Sequence, residues 1–218
     1  MPEERPGLLS VFDADGRPVA AQTREEASRS GLAVGAINVL LVNGRGEVLL
    51  QRRPAGKDNG GHWDKSVGGH VDAGEDYDAA AVREAGEELF DDGRSPLVRL
   101  APDEASFRSG LASQDLGRMV LFRRVALHRN LRDVRHTPEG GLHNVVFHVA
   151  VYLGRTDVPL GSFRRQPSEI AALAYFAAGD VDGMLARGEL APNMAFLWLA
   201  HAWSLLSLAG GWPGPRLR

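Results

Sequence analysis

The chain has 218 residues, 44% of them hydrophobic, enough to bury a sizeable core and better suited to one decorated domain than to two equal ones. Its formal charge of −3 gives no general attraction to nucleic acid or anionic membranes, so neither is expected as a partner. With no cysteine, the chain excludes disulfides, thiolate metal sites and a thiol nucleophile.

The opening residues, MPEERPGLLS, are acidic and lack a long apolar core, so no secretory signal is expected and a cytoplasmic location is the default. Only Lys57 and Lys65 are lysines among the 25 basic residues, and with the abundant Ala and Gly this bias points to a GC-rich bacterial genome. Phosphate contacts should therefore fall mainly to arginine, whose planar fork suits them.

In chain order, Leu8 to Gln22 reads as a hairpin turning at Asp15-Gly16. Thr23 with Glu26 three residues later forms a capping-box pattern for a short helix through Ser28. Residues 1–32 are thus expected as a hairpin and helix extension. Ala36 to Val42 (AINVLLV) reads as a buried strand, with Asn43 to Gly46 turning the chain and Val48 to Arg52 returning as its partner. Residues 54–69 are rich in Gly, Asp and Asn and read as loop. A helix is predicted from about Asp76 to Leu89. Residues 91–118 are polar and poorly periodic, the expected insertion. Later strands are predicted near Met119–Leu127 and Val145–Leu153, with a helix over roughly Val181–Arg187.

The stretch from Ala191 to Pro215 contains no Asp, Glu, Lys or Arg. Asn193 as N-cap and Gly210 as stop predict an apolar helix of about 17 residues within 191–212, roughly 25 Å long. That falls short of a membrane core of about 30 Å. A helix apolar on most faces is expected to bury itself, either against its own sheet or in a two-fold dimer.

The segment that carries chemistry runs from Gly69 through Glu75 to Arg83, Glu84, Glu87 and Glu88. On a helix, positions 84, 87 and 88 stand at i, i+3 and i+4, so three carboxylates share one face. Such crowding is resolved by a bound cation, and hard oxygen ligands point to Mg²⁺ or Mn²⁺. A bare E-x-x-E-E is usually only a solvated helix face. Here the glycine pair, Glu75 and Arg83 at fixed spacing favour a site. Gly86 costs about 1 kcal/mol relative to alanine inside a helix, which suggests a close backbone approach.

This segment resembles the Nudix box, G-x5-E-x7-R-E-U-x-E-E-x-G-U. Gly69, Glu75, Arg83, Glu84, Glu87 and Glu88 match at the required spacing, and Ala85 stands at the aliphatic place. Phe90 and Asp91 replace the last two box positions, which bears on the loop leaving the helix. VFDADGRPVA, VLLVNGRGEVLLQRRPAGK and HWDKSVGGHVDAGE extend the resemblance to the subgroup similar to isopentenyl-diphosphate isomerase. The resemblance implies an α/β/α sandwich around a mixed sheet. It implies Glu84, Glu87, Glu88 and the Gly68 carbonyl as metal ligands. It also implies Glu84, Arg83 and Glu75 as the catalytic set, acting in hydrolysis of a small-molecule diphosphate by water. Glu84 is the leading base, with Glu139 and Glu169 as late-loop alternatives. Arg52, Arg53, Lys57, Gly69 and His70 are the candidates for substrate contact. Trp63 either lines the pocket or packs, and His136, His143 and His148 receive no role.

The resemblance implies that the isomerase itself needs a cysteine where this chain has Gly68. It also implies a histidine where Val34 stands, and a glutamate pair where Leu142-His143-Asn144 stands, so that rival fails on chemistry. A non-catalytic nucleotide-binding member is the other alternative, weakened because every box glutamate is kept. Specificity is expected from residues 54–66, from 91–118 and from the late strands. Candidate substrates are nucleoside di- or triphosphates, nucleotide sugars, dinucleotide cofactors and prenyl diphosphates.

Overall fold

A computed structural model of the chain describes residues 7–209. Strands β1 (Leu9–Phe12) and β2 (Pro18–Gln22) form the expected N-terminal hairpin, with Gly16 at φ 83° in its turn. Thr23 caps α1 (Arg24–Ser30), and Glu26 closes the capping box by accepting from the Thr23 amide.

Central strand β3 (Ala33–Val42) is buried at all ten positions because both of its faces are covered. Val34, Ala36, Leu40 and Val42 join one core cluster, while Ile37, Val39 and Leu41 join the other. This alternation is the period of two expected of a strand. β3 pairs antiparallel with β4 (Glu47–Arg52) for only two residue pairs, after which β4 continues with the short β5 (Trp63–Asp64). Strand β6 (Val67–His70) then takes the place beside β3, from Ala36 to Val39. Residues 54–69 are therefore not wholly loop. Gly68 and Gly69 conceal a strand because glycine carries no strand propensity, and the ladder with β3 supplies what propensity lacks.

Asp76 caps α2 (Tyr77–Phe90) through the Ala79 amide. At its far end Asp91 takes the left-handed conformation, φ 54°, and the Asp92 amide bonds back to the Gly86 carbonyl at 3.0 Å. A side chain on Gly86 would run into the Asp92 carbonyl, which is the close approach its sequence position suggested. Thus Phe90 and Asp91 still leave the helix by a tight turn, with Asp91 doing what a glycine would do.

Within residues 91–118 lie β7 (Val98–Leu100) and α3 (Glu104–Ser113), anchored by a small cluster around Phe107 and Leu121. β8 (Val120–His136) and β9 (Leu142–Arg155) form a hairpin much longer than predicted. β10 (Ala172–Ala177), absent from the sequence reading, pairs with β4. Helices α4 (Ala178–Ala186) and α5 (Pro192–Leu206) follow. The sheet order is β10-β4-β3-β9-β8-β7, with β3 and β9 parallel and most other pairs antiparallel. Helix α2 packs on one face and α4 with α5 on the other, giving the mixed sheet between helix layers.

Helix α5 starts two residues earlier than expected. Ala191 is the N-cap and Pro192 occupies the first helical position, where its fixed φ is already helical, so Asn193 lies inside the helix. The proposed stop, Gly210, lies outside the described residues. Met194, Leu197, Trp198, Leu205 and Leu206 are buried against the chain's own sheet, while Leu199 and Trp203 stay exposed. Those two are the large apolar side chains that α5 leaves exposed. No helix among the described residues is long and apolar enough to cross a membrane. Leu197 is fully buried, so Leu197→Ala should lower stability by about 2–5 kcal/mol in urea unfolding. A loss under about 0.5 kcal/mol, the range of surface substitutions, would contradict this packing.

Candidate active site

The site forms where β4 leaves β3 and β6 takes its place. Helix α2 lies beneath, and Glu88 reaches the seam, accepting from the Gly68 amide at 3.2 Å and from Gln51 Nε2 at 3.3 Å. Glu84 lies against Gly69 so closely that any side chain there would run into its carboxylate. Glycine at 69 thus leaves the Glu84 carboxylate room to lie against the strand.

Arg83 organises the acids around it. Its Nε and Nη2 donate to Glu75 at 3.0 and 2.9 Å, a bidentate pair, and Nη1 donates to Glu84 at 2.9 Å and Glu87 at 3.2 Å. Nη2 also reaches the His70 carbonyl, which ties α2 to the end of β6. The hydrogen bonds it donates to Glu75 hold the guanidinium proton more tightly still. Glu88 is buried, and burial, followed by the charge of nearby Glu84, pushes its carboxyl well above the usual range. Burial also raises Glu84, against the opposing pull of Arg83.

These groups face a cavity of about 430 Å³. Glu84, Glu87, Glu88, Gly68, Gly69, His70, Arg53 and Lys57 all line it, so the structure gathers eight of the eleven sequence-derived site residues. Glu75 and Arg83 stand behind the wall. Arg52 does not belong: it is exposed, donates to the Gly61 carbonyl at 3.0 Å, and lines a separate depression with Trp63. Adjacent strand residues point to opposite faces, so Arg52 turns away from the cavity that its strand neighbour Gln51 lines. Trp63 packs edge-on against Phe176, 4.7 Å between ring centres, which is the packing reading. Glu169 lines the cavity and pairs with Lys57 at 2.8 Å, whereas Glu139 is exposed in the β8–β9 turn. His148 is buried against Phe12 and bonds the Asp13 carbonyl, a structural role.

Sequence reasoning missed the opposite wall. The extended hairpin carries Leu131, Asp133 and Arg135 into the cavity from β8, with Phe147 and Val149 from β9. The signal was present as the i, i+2, i+4 spacing of those β8 residues, continuing the strand past Leu127. Loop 54–62 closes this wall, with Asn59 exchanging hydrogen bonds with the His136 backbone at 2.8 and 2.9 Å. No residue of 91–118 lines the cavity.

Among the described residues, no three histidine, aspartate or glutamate side chains converge in metal-holding geometry. Glu84 and Glu87 are instead turned onto Arg83. The donor set is nevertheless chemically suited to a hard cation: three carboxylates with carbonyl-bearing backbone at Gly68, on one cavity wall.

The family model described as NUDIX domain matches residues 32–195. A curated relative from Pseudomonas aeruginosa, described as an uncharacterized Nudix hydrolase, is 40% identical over 83 residues, 38% of this chain and 49% of that protein. Isopentenyl-diphosphate Delta-isomerase 2 of Photorhabdus laumondii is 31% identical over 83 residues, 38% of this chain and 47% of that one. The chain spans about half the length of the curated relatives it matches. A solved structure from Deinococcus radiodurans superposes with a TM-score of 0.61 at 22% identity, covering 88% of this chain and 98% of the other, a likeness of fold. With the domain match covering most of its length, the chain belongs to the Nudix family.

Proposed function

We propose that the protein hydrolyses a diphosphate linkage in a nucleoside diphosphate derivative or related small molecule, with Mg²⁺ or Mn²⁺ as cofactor. The observation that carries this reading is the crowding of Glu84, Glu87 and Glu88 on one cavity wall, two of them held above the usual carboxylate range. Divalent metal would be held by these three and the Gly68 carbonyl, drawing Glu84 and Glu87 away from Arg83. It would supply Lewis-acid neutralisation of charge on the phosphoryl oxygens.

The chain's own residues do the rest. Arg83, locked by Glu75, positions the glutamates. Arg53 and Lys57 face the cavity as cations for the phosphates, with Gly69 and His70 at its edge. Glu84, its proton affinity raised by burial, takes the proton of the attacking water, as general-base work near neutral pH requires. Water oxygen bonds to phosphorus, the bridging P–O bond breaks, and the leaving phosphate departs on its own oxygen. Glu169 is the late-loop alternative for the base, since it lines the cavity and Glu139 does not. The isomerase reading loses support at Gly68, which stands where the resemblance implies a cysteine, in a chain that contains none.

The test is a panel of nucleotide, nucleotide-sugar, dinucleotide and prenyl diphosphates assayed with Mg²⁺ in ¹⁸O-water. Release of one ¹⁸O-labelled phosphate product, abolished by EDTA and restored by metal, is expected. Undiminished rates in EDTA, or no cleavage of any class, would overturn the proposal.

A further inference from the structure

Beyond the glutamates, the charges around the cavity are matched among themselves. Arg53 and Lys65 share Asp64 at 3.1 and 3.2 Å, and Lys57 pairs with Glu169 at 2.8 Å. Arg135 pairs with Asp133 at 2.8 Å and with Asp58 at 4.0 Å. Four acids thus accompany four cations, and neither sign is left in excess to select a ligand. Neutral hydrogen-bonding groups at the same place are not matched in this way.

Asn38 is the clearest case. It stands in the middle of β3 and is only 4% exposed, yet it lines the cavity, and its carboxamide makes no hydrogen bond among the described residues. The rest of the AINVLLV run is apolar, and Ala36 and Leu40 on the same face belong to the core. A carboxamide in such a strand is costly unless its polar ends find partners. Water can serve while the cavity is open to solvent, but a ligand that displaces it must supply equivalent hydrogen bonds or lose affinity. The ladder sets Asn38 opposite Gly68, and residues opposite each other in an antiparallel pair project to one face. Asn38 therefore stands beside the place proposed for the metal and the scissile diphosphate.

Asn193 reaches the same space from the helix layer. The Ala191 amide donates to the Trp63 carbonyl at 2.8 Å and the Trp63 amide to the Glu189 carbonyl at 2.9 Å, which fixes the first turn of α5 beside β5. Asn193 in that turn lines the cavity, and its Oδ1 is buried without a partner. An unpartnered acceptor calls for a donor. A hydroxyl both donates and accepts, so it satisfies either end of a carboxamide, and an alkyl chain satisfies neither.

Resting on the hydrolase reading, we propose that Asn38 and Asn193 are specificity-determining residues that hydrogen-bond a neutral hydroxyl on the organic part of the substrate, close to the scissile linkage. The substrate is thereby narrowed to diphosphates of a hydroxyl-bearing group such as a sugar, and prenyl diphosphates are excluded. A site whose polar groups are satisfied only by the right ligand rejects the analogue that lacks the hydroxyl, because those groups are then left unpaired.

ADP-ribose and UDP-glucose, each compared with geranyl diphosphate in the presence of Mg²⁺, test this. The wild type should favour at least one of the hydroxyl-bearing compounds by about a hundredfold or more in kcat/KM. Asn38→Leu keeps nearly the same volume without polar ends and should cut that preference by about tenfold, with Asn193→Leu acting in the same direction. Neither carboxamide has a protein partner to lose, so both variants should melt no lower than the wild type. A lesion of structure alone would lower all three activities alike and leave the ratio untouched. A wild-type preference for geranyl diphosphate overturns the proposal, as does a ratio that survives both substitutions or a clear drop in the melting temperature of Asn38→Leu. If none of the compounds is cleaved, titration of the wild type and of Asn38→Leu reads the same preference in Kd. A preference that Asn38→Leu diminishes then upholds the recognition while the hydrolase reading fails, and equal affinities overturn it.

Discussion

Glu88→Gln is expected to lower kcat/KM for any cleaved diphosphate by about a thousandfold, while raising the melting temperature of the metal-free protein at neutral and alkaline pH. The activity loss follows from removing one charge of the proposed ligand set at constant shape. The stability gain follows from burial. Glu88 holds its proton well above the ordinary carboxylate range because the folded state desolvates it beside Glu84. Between the unfolded and the raised folded value, the native state therefore binds a proton that the unfolded chain has released. Stability falls as pH rises through that window, and the falling limb should be reduced in the glutamine variant. Added Mg²⁺ should raise the melting temperature of the wild type more than that of the variant, because binding to the native state alone stabilises it. Thermal scans across pH with and without metal check both arms. A variant that melts lower than wild type at alkaline pH in EDTA would show that Glu88 is a structural partner of Gly68 and Gln51, not a strained carboxylate.

The glutamate face was legible because a helix converts spacing into position: 84, 87 and 88 can only be neighbours. The reason for Gly69 was not legible, since it lies in the approach of α2 to β6 and no local pattern encodes that distance. The same limit hid the opposite wall. Leu131, Asp133 and Arg135 alternate as strand residues should, but charges at every other position blur the apolar signal, so the strand seemed to stop at Leu127. Asp133 enters the interior only because Arg135 accompanies it, a pairing set by tertiary structure. Arg52 failed for the opposite reason: its charge suggested phosphate, and strand parity turned it to the other face. α5 was legible as a buried helix from composition alone, although which side chains stayed exposed depended on the sheet beneath it.

Arg83→Ala should combine the second largest loss of activity, about a hundredfold, with a loss of roughly 2–4 kcal/mol of stability at neutral pH. One guanidinium holds Glu75 by two hydrogen bonds and Glu84 and Glu87 by one each, with the His70 carbonyl as a further acceptor. Without it, three carboxylates face each other across a partly buried cluster whose mutual repulsion nothing local offsets. Arg83→Lys should recover little, because a single ammonium cannot place two parallel donors on Glu75 and a third on Glu84. The coupling of Arg83 to Glu75 separates positioning from mere packing. In a double-mutant cycle, Glu75→Gln on the Arg83→Ala background should cost far less in kcat/KM than it does alone. Additive losses would mean that Glu75 acts on the substrate by itself, and that Arg83 does not relay its effect. The metal dependence gives a further distinction. If Arg83 orients the ligand set, its loss should raise the Mg²⁺ concentration needed for half-maximal activity, whereas a purely structural lesion would lower activity at every metal concentration alike.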